Sequence, residues 1–180
     1  MNTILVAAAA VALLHITPTV VLVQRPDAVA RLAPGADAFT ARDAHLSDAD
    51  AHRLHEAVDW SPSDGVLTLY AGTRGGAKVA TFSFMRVDTP HGPVEVAVGL
   101  DPAGAVRAVI VTKATVETRP WVQEALRAGL AEQYTGLTPE GTAGGAAALR
   151  GRVGSLAAYM AEQVDKGVAR ALAAYRLFGT

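Results

Sequence analysis

The histidines and the acidic residue between positions 45 and 56 are the first candidates for chemistry in this chain. His52 and Glu56 are four residues apart, His55 lies beside Glu56, and His45 precedes them. Imidazole and carboxylate groups one helical turn apart are typical ligands of zinc or copper. However, the sequence has no His-Glu-x-x-His pattern, and nothing fixes His45 relative to the others. We therefore interpret these residues as a polar helix face and predict no metal site.

His15 is the one ionisable side chain in the apolar stretch from Thr3 to Val23. An imidazole in such a segment is a candidate ligand of a pigment or haem. The segment is similar to the Ala-x-x-x-His pattern of bacterial light-harvesting helices, except that Val11 stands where that pattern has Ala. The alternative is a hydrogen bond from His15 to a neighbouring helix or to a headgroup.

Two hydroxyl groups lie near glycines that would let a ligand approach. Thr142 lies among Gly141, Gly144 and Gly145, but the lysine of a phosphate-binding P-loop is missing. Ser155 lacks the Gly-x-Ser-x-Gly spacing of serine hydrolases. The chain has no cysteine, which excludes a thiol nucleophile and a Cys-ligated metal cluster. The sequence therefore contains no recognisable catalytic centre, and we predict that the protein is not an enzyme.

Length and composition restrict the remaining classes of protein to which this chain could belong. The chain has 180 residues, which is enough for one domain. Its net charge of −1 provides no positive field that would attract nucleic acid. Hydrophobic residues make up 51% and the mean hydropathy is +0.24. Because Thr3–Val23 has the length and composition of a membrane span, we expect a transmembrane anchor over residues 1–24. Residues 25–35 are then a linker and 36–180 one domain.

The hydrophobic pattern after the anchor predicts an α+β domain with a twisted antiparallel sheet packed by helices. Ser47 is a good N-cap for a helix over residues 48–58. The turn Asp101-Pro102-Ala103-Gly104 predicts a hairpin between two apolar strands. The other expected elements are strands over 66–70 and 79–86, a helix that begins near 118–120, a flexible loop over 139–145, and a closing helix from about 156 to 175.

Several short motifs in this order resemble the FMN-binding domain family. They are Pro34-Gly35-Ala36, the turn at 101–104, Val116-Glu117-Thr118 and Gln133-Tyr134-Thr135-Gly136. Members of the family include the membrane-anchored flavin subunits of the Rnf complex and of the sodium-pumping NADH:quinone reductase. The resemblance covers about residues 33 to 176, mainly in the order of the elements. It implies an α+β fold with a twisted antiparallel sheet.

The resemblance also implies a flavin site and shows how this chain departs from it. In the family, a Ser-Gly-Ala-Thr motif before the last helix carries FMN on its Thr. Here the aligned residues are Ser155-Leu156-Ala157-Ala158, so the acceptor position has no hydroxyl. Covalent attachment at Ala158 is therefore chemically impossible. Noncovalent FMN remains an alternative, with Glu117, Thr118, Thr142 and Ser155 as the residues that would contact it.

These arguments lead to three functional hypotheses. The first is a membrane-anchored accessory subunit of an electron-transfer or photosynthetic complex, with no covalent flavin and with membrane protein subunits and the lipid bilayer as partners. The second is a noncovalent FMN-binding electron carrier. The third is a free-standing protein that binds a small ligand at the loop over residues 137–146. We expect a single-pass protein of the bacterial inner membrane. The resemblance implies a domain on the periplasmic side, which we favour, whereas Arg25, Arg31 and Arg42 after the span are the argument for the cytoplasmic side.

Overall fold

The computed structural model describes residues 17–179. Its strands are Thr19–Val21 (β1), Ala38–His45 (β2), Val66–Arg74 (β3), Ala77–Val87 (β4), Val94–Leu100 (β5) and Val106–Thr115 (β6). Its α-helices are Arg25–Leu32 (α1), Asp48–Val58 (α2), Arg119–Arg127 (α3) and Ser155–Phe178 (α4), with 3₁₀ turns at Ala131–Tyr134 and Gly145–Leu149. The strands form one antiparallel sheet in the order β1-β6-β5-β4-β3-β2. The described part of the chain is therefore an α+β fold.

The N-terminal transmembrane helix expected from the sequence is contradicted. Within residues 17–179, no helix combines the length and the apolar character that crossing a bilayer requires. The end of the apolar stretch is a strand, because the β-branched residues Thr19, Val20 and Val21 pair with β6 along its edge. The prediction of a single-pass membrane protein in the inner membrane is therefore wrong. Residues 1–16, which include His15, lie outside the described part.

The segment expected to be a linker contains α1, which packs on one face of the sheet. Pro26 suits the first turn of this helix, where its missing N–H costs nothing. Leu32 is fully buried and lies so close to Gly99 that a Cβ there would be 2.9 Å from a Leu32 methyl group. The smaller of two apolar clusters lies between α1 and the sheet. This side is called the α1 face below.

The larger apolar cluster lies on the opposite side, called the α4 face, between the sheet and α2, α3 and α4. The closing helix was expected from the period of its apolar residues and is confirmed, with 24 residues. Gly167 permits its close approach to β5, because a Cβ at this position would lie 2.7 Å from the side chain of Val96. The closing helix therefore lies over the centre of the sheet, with its backbone at Gly167 close to β5.

The predicted hairpin between β5 and β6 is also confirmed. The two strands pair from Glu95–Lys113 to Leu100–Val106. Asp101 closes the turn, because its Oδ1 accepts hydrogen bonds from the backbone N–H groups of Ala103 and Ala105. Gly104 supplies the left-handed backbone that the turn requires, with φ of 85°.

The pairing between β3 and β4 is incomplete. Its register runs from Arg74–Ala77 only as far as Tyr70–Phe82, although both strands continue beyond that pair. By contrast, β3 pairs with β2 from Val66–His45 to Thr73–Ala38. The first residues of β3 and the last residues of β4 therefore border an opening in the sheet.

The helix α2 has the predicted N-terminus, and it is closed by a capping box. The Ser47 hydroxyl accepts a hydrogen bond from the Asp50 N–H, and the Asp50 carboxylate accepts from the Ser47 N–H. The Ser47 hydroxyl also donates to this carboxylate at 2.7 Å, and Arg53 donates to its other oxygen. The hydrogen bonds from Ser47, followed by the charge of Arg53, hold the pKa of Asp50 below its ordinary value.

We expect the substitution Ser47→Ala to raise the pKa of Asp50 toward its ordinary value. A carboxyl group whose pKa is lowered in the folded state stabilises that state above its unfolded pKa, and the contribution is lost as the pH falls through the lowered value. The variant should therefore lose less stability than the wild type across that acidic range. An NMR titration of the Asp50 carboxyl carbon measures the shift, with Ser47→Thr as the control that keeps the hydroxyl. An unchanged pKa in Ser47→Ala would contradict this prediction.

Candidate functional site

Four side chains meet at the end of the domain where α3 and α4 begin. The Nδ1 atom of His91 lies 2.9 Å from the Oε1 atom of Glu117. The His91 ring stands nearly perpendicular to the rings of Trp121 and Tyr159, with centroids 5.1 and 5.9 Å away. We call these four residues the His91 cluster. It brings Glu117, a residue predicted from the sequence, next to the first turns of α4.

Hydrogen bonds fix the backbone of His91 on both sides. Its N–H donates to the hydroxyl of Thr89, and its carbonyl accepts from the hydroxyl of Thr115. The side chains of His91 and Glu117 are 35% and 39% exposed, so water screens their ion pair. A carboxylate at Nδ1 selects the tautomer or the charged form that has a proton there. The arrangement can therefore hold an imidazole in a fixed orientation between two aromatic rings.

Thr118 has a structural role in this region. Its side chain is buried, and its hydroxyl lies 2.9 Å from the hydroxyl of Thr115 and accepts from the Thr115 N–H. The Thr118 N–H in turn donates to the Thr115 hydroxyl. These reciprocal bonds connect the end of β6 to the start of α3. They leave the Thr118 hydroxyl turned into the protein, away from any ligand on the surface.

The segment aligned with the flavin-attachment motif forms the first turn of α4. Ser155 is exposed, Leu156 is 45% exposed, and Ala158 is half-buried. The residue before this turn, Gly154, donates its N–H to the Oε1 atom of Glu124 at 2.8 Å. A carboxylate thus already occupies the positive end of the helix dipole. A phosphate group in the same place would meet a like charge.

The loop that carries Thr142 is attached to α4 through Asp165. One Asp165 oxygen accepts from the hydroxyl of Tyr134 at 2.6 Å, and the other accepts from the N–H of Ala146 at 3.2 Å. Gly145 leaves room for this contact, since a Cβ there would lie 2.8 Å from the Tyr134 ring. Burial, followed by the hydrogen bond to Asp165, raises the pKa of Tyr134. The loop is therefore held in place, and Thr142 is exposed on it.

A cleft lies at the opening between β3 and β4. Its volume is about 370 Å³, and Trp60, Tyr70 and Phe84 are its aromatic wall residues. Two arginines line it, and both are paired: Arg25 with Glu95 and Arg86 with Asp88. The sequence-predicted residues Glu117, Thr118, Thr142 and Ser155 do not line this cleft.

Arg170 reaches this opening from the α4 face. Its Nη1 donates to the carbonyl of Arg86 at 2.6 Å, and its guanidinium lies over the Trp60 ring. The guanidinium therefore connects α4 to the last residues of β4 at this opening. Burial lowers the pKa of Arg170, and the charges of Asp88 and Asp59 oppose that shift.

The histidines considered as metal ligands are spread over separate positions. His45 ends β2, His52 pairs with Glu56 at 3.2 Å, and His55 pairs with Asp59 at 3.5 Å. Among residues 17–179, no group of three or more His, Asp or Glu side chains has the geometry to hold a metal. His15 lies outside these residues, so its role as a pigment or haem ligand stays a prediction.

Sequence reasoning placed Glu117 and Ser155 in this region but missed His91, Trp121, Tyr159 and Glu124. His91 is 26 residues from Glu117 in the chain, and only the pairing of the sheet brings the two together. Tyr159 directly follows the aligned motif, which was the one local signal for it. No protein-family model, curated protein or solved structure matches this chain.

Proposed function

We propose that this protein is a non-enzymatic accessory subunit, which binds other subunits of an electron-transfer or photosynthetic assembly and carries no covalent FMN. The proposal rests on the resemblance to the FMN-binding domain family and on one observation at the attachment position. Ala158 lies half-buried in the first turn of α4 and has no oxygen to form a phosphodiester. A domain that cannot hold its cofactor covalently can still act in a complex through contacts between its surface and other subunits, because a fold does not determine a function.

Two neighbours of Ala158 support this proposal. Leu156 stands where the family has Gly, and its exposed side chain takes up space that a flavin phosphate would need. Glu124 places a carboxylate at the N-terminus of the same helix, 2.8 Å from the Gly154 nitrogen. Both features disfavour an anion at this position, while an exposed leucine beside aromatic residues is typical of protein contact surfaces.

We expect the wild-type chain to remain unmodified when it is coexpressed with a flavin transferase. Intact mass spectrometry measures attachment, and the matched variant combines Leu156→Gly with Ala158→Thr to restore the motif. Because Leu156 is exposed, the double change should lower the unfolding free energy by only about 1 kcal/mol, mainly through glycine in the helix. A mass increase of FMN in the wild type would refute the proposal. A large stability loss in the variant would contradict the placement of the motif.

The partner is tested by purifying the tagged full chain from its native cell under mild conditions. The expected result is a colourless chain together with subunits of a redox or photosynthetic complex, identified by mass spectrometry after crosslinking. A yellow chain that elutes alone would refute the accessory role.

Noncovalent FMN is a second candidate because the rings of His91, Trp121 and Tyr159 lie beside the aligned motif. Aromatic rings of this kind provide stacking surfaces for a flavin. A fluorescence titration of FMN against the full chain distinguishes the two functions. Saturable binding that is lost in Tyr159→Ala and retained in the distant Phe39→Ala variant would favour the flavin carrier. Absence of saturable binding is the result that the accessory role predicts.

A further inference from the structure

The opening between β3 and β4 is bordered by a strand on each side. Continuing the register of the Tyr70–Phe82 pair would place Thr68 opposite Phe84. Within residues 17–179, however, no ladder pair joins β3 to β4 beyond Tyr70–Phe82. A cleft lies there instead, and three consecutive residues of each strand line it: Val66, Leu67 and Thr68 from β3, and Phe84, Met85 and Arg86 from β4.

Side chains bond to the main chain at the outer end of this opening. The N–H of Val66 donates to the Oδ1 atom of Asp64 at 3.2 Å, and the carbonyl of Arg86 accepts from Arg170. Between this end and the Tyr70–Phe82 pair, the two strands run past each other without a ladder. An extended peptide carries backbone donors and acceptors along both of its edges, so a segment inserted here has a strand to bond to on each side.

The size and the walls of the cleft suit a short extended peptide. Its volume of about 370 Å³ lies within the range of about 300–1,000 Å³ that is usual for ligand pockets. Three extended residues at roughly 3.3 Å each have a length of about 10 Å, which matches the three residues that line the cleft on each strand. The rings of Trp60, Tyr70 and Phe84 provide apolar walls for the side chains of such a segment.

The charges of the cleft favour a segment with a positive group. Three acidic and two basic side chains line it, which leaves a net charge of −1. Both arginines are paired, Arg25 with Glu95 and Arg86 with Asp88. Among residues 17–179, the remaining acid, Asp64, forms no ion pair. A lysine side chain of the bound segment would therefore complement this carboxylate.

We propose that the opening between β3 and β4 binds an extended, positively charged segment of another polypeptide as an inserted strand. The segment hydrogen-bonds through its main chain to both strands, packs its apolar side chains against the aromatic walls, and pairs its lysine with Asp64. This inference is independent of the proposed function, because the cleft shares no residue with the His91 cluster or with the first turn of α4.

The experiment is an NMR titration of the isotope-labelled full chain with a mixture of tetrapeptides. Each peptide is acetylated and amidated, has lysine at its last position, and has valine, leucine, threonine or phenylalanine at the other three. The expected result is a saturable shift of the Thr68 and Phe84 amide signals. A second mixture with N-methylated backbone amides keeps the side chains and the charge but has no backbone donors, and we expect it to leave both signals unshifted.

A matched pair of variants tests the charge. Asp64→Asn keeps the oxygen that accepts from Val66 but removes the charge, and it should weaken binding up to about fivefold, as for an exposed ion pair. Glu140→Gln removes an exposed acid outside the cleft and should leave the affinity unchanged.

Three results would overturn the proposal. The first is the absence of a saturable shift at Thr68 and Phe84 up to the solubility limit of the mixture. The second is an equal shift with the N-methylated mixture, because binding would then not use the main chain. The third is an equal affinity of the Asp64→Asn variant and the wild type, because the charge would then play no part.

Discussion

We expect the substitution Asp165→Ala to lower the free energy of unfolding by about 3 kcal/mol, because it removes the single carboxylate that accepts hydrogen bonds from two donors. The carboxylate of Asp165 binds the Tyr134 hydroxyl and the Ala146 N–H, and Tyr134 is fully buried. Without the carboxylate, each donor would be left unsatisfied at a cost of roughly 1–3 kcal/mol. Urea unfolding monitored by circular dichroism measures the change.

The control for this prediction is Tyr134→Phe, which removes the hydroxyl but keeps the ring. We expect a smaller loss of about 1.5 kcal/mol, since a hydrogen bond to a charged group is removed without leaving an unsatisfied donor. The double variant should lose less than the sum of the two single variants, because both remove the same bond. Strictly additive losses would show that the two side chains act independently and would contradict the prediction.

The substitution Gly167→Val is expected to destabilise the protein by about 3 kcal/mol through overpacking between α4 and the sheet. A single added Cβ already falls 2.7 Å from one Val96 methyl and 2.8 Å from the Val96 Cβ. The Cβ of Val96 belongs to a fully buried position in β5 and cannot move without shifting the strand. Thermal unfolding measured by calorimetry gives the effect.

The matched test of this contact adds Val96→Ala to Gly167→Val. Val96→Ala alone creates a cavity and should be destabilising. The double variant lacks the Val96 methyl groups that the new side chain meets but keeps the Cβ of residue 96 at 2.8 Å, so we expect it to be more stable than Gly167→Val alone and less stable than the wild type. If Val96→Ala instead lowers the stability further in the Gly167→Val background, the close approach at Gly167 does not limit the packing.

Elements with strong local signals were predicted correctly from the sequence. The α2 helix begins where Ser47 allows a cap, and the β5–β6 hairpin turns where Asp101 and Gly104 favour a turn. In both cases the side chains that determine the structure lie within a few residues of the backbone that they bind. The closing helix has the period of a helix with one buried face, and this period is visible without knowledge of its partner.

The missed elements lack such signals. Seven of the eight residues of β2 are exposed, so no alternation of apolar residues marks it as a strand. Thr19–Val21 lies in a continuous apolar stretch, where the pattern cannot distinguish a strand from a helix. The stretch was therefore interpreted as a transmembrane anchor, although β6 offers an open edge to which these three residues pair.

In the candidate site, too, the residues with a local sequence signal were predicted and those without one were missed. Glu117 and Ser155 were placed from their motifs, but His91 and Trp121 approach each other only through the sheet and the start of α3. The Thr118 hydroxyl appeared available for a ligand because a sequence does not show which way a side chain turns. In the structure Thr115 takes that hydroxyl.

The opening between β3 and β4 divides the sheet into two parts that differ in how completely their strands are paired. Past Tyr70–Phe82, the β2–β3 ribbon has no ladder to β4 within the described residues, whereas β4, β5 and β6 pair with one another over most of their lengths. Local opening free energies follow how many such bonds must break together. We therefore expect the ribbon to separate from β4 in a partial unfolding event before β4, β5 and β6 separate from one another.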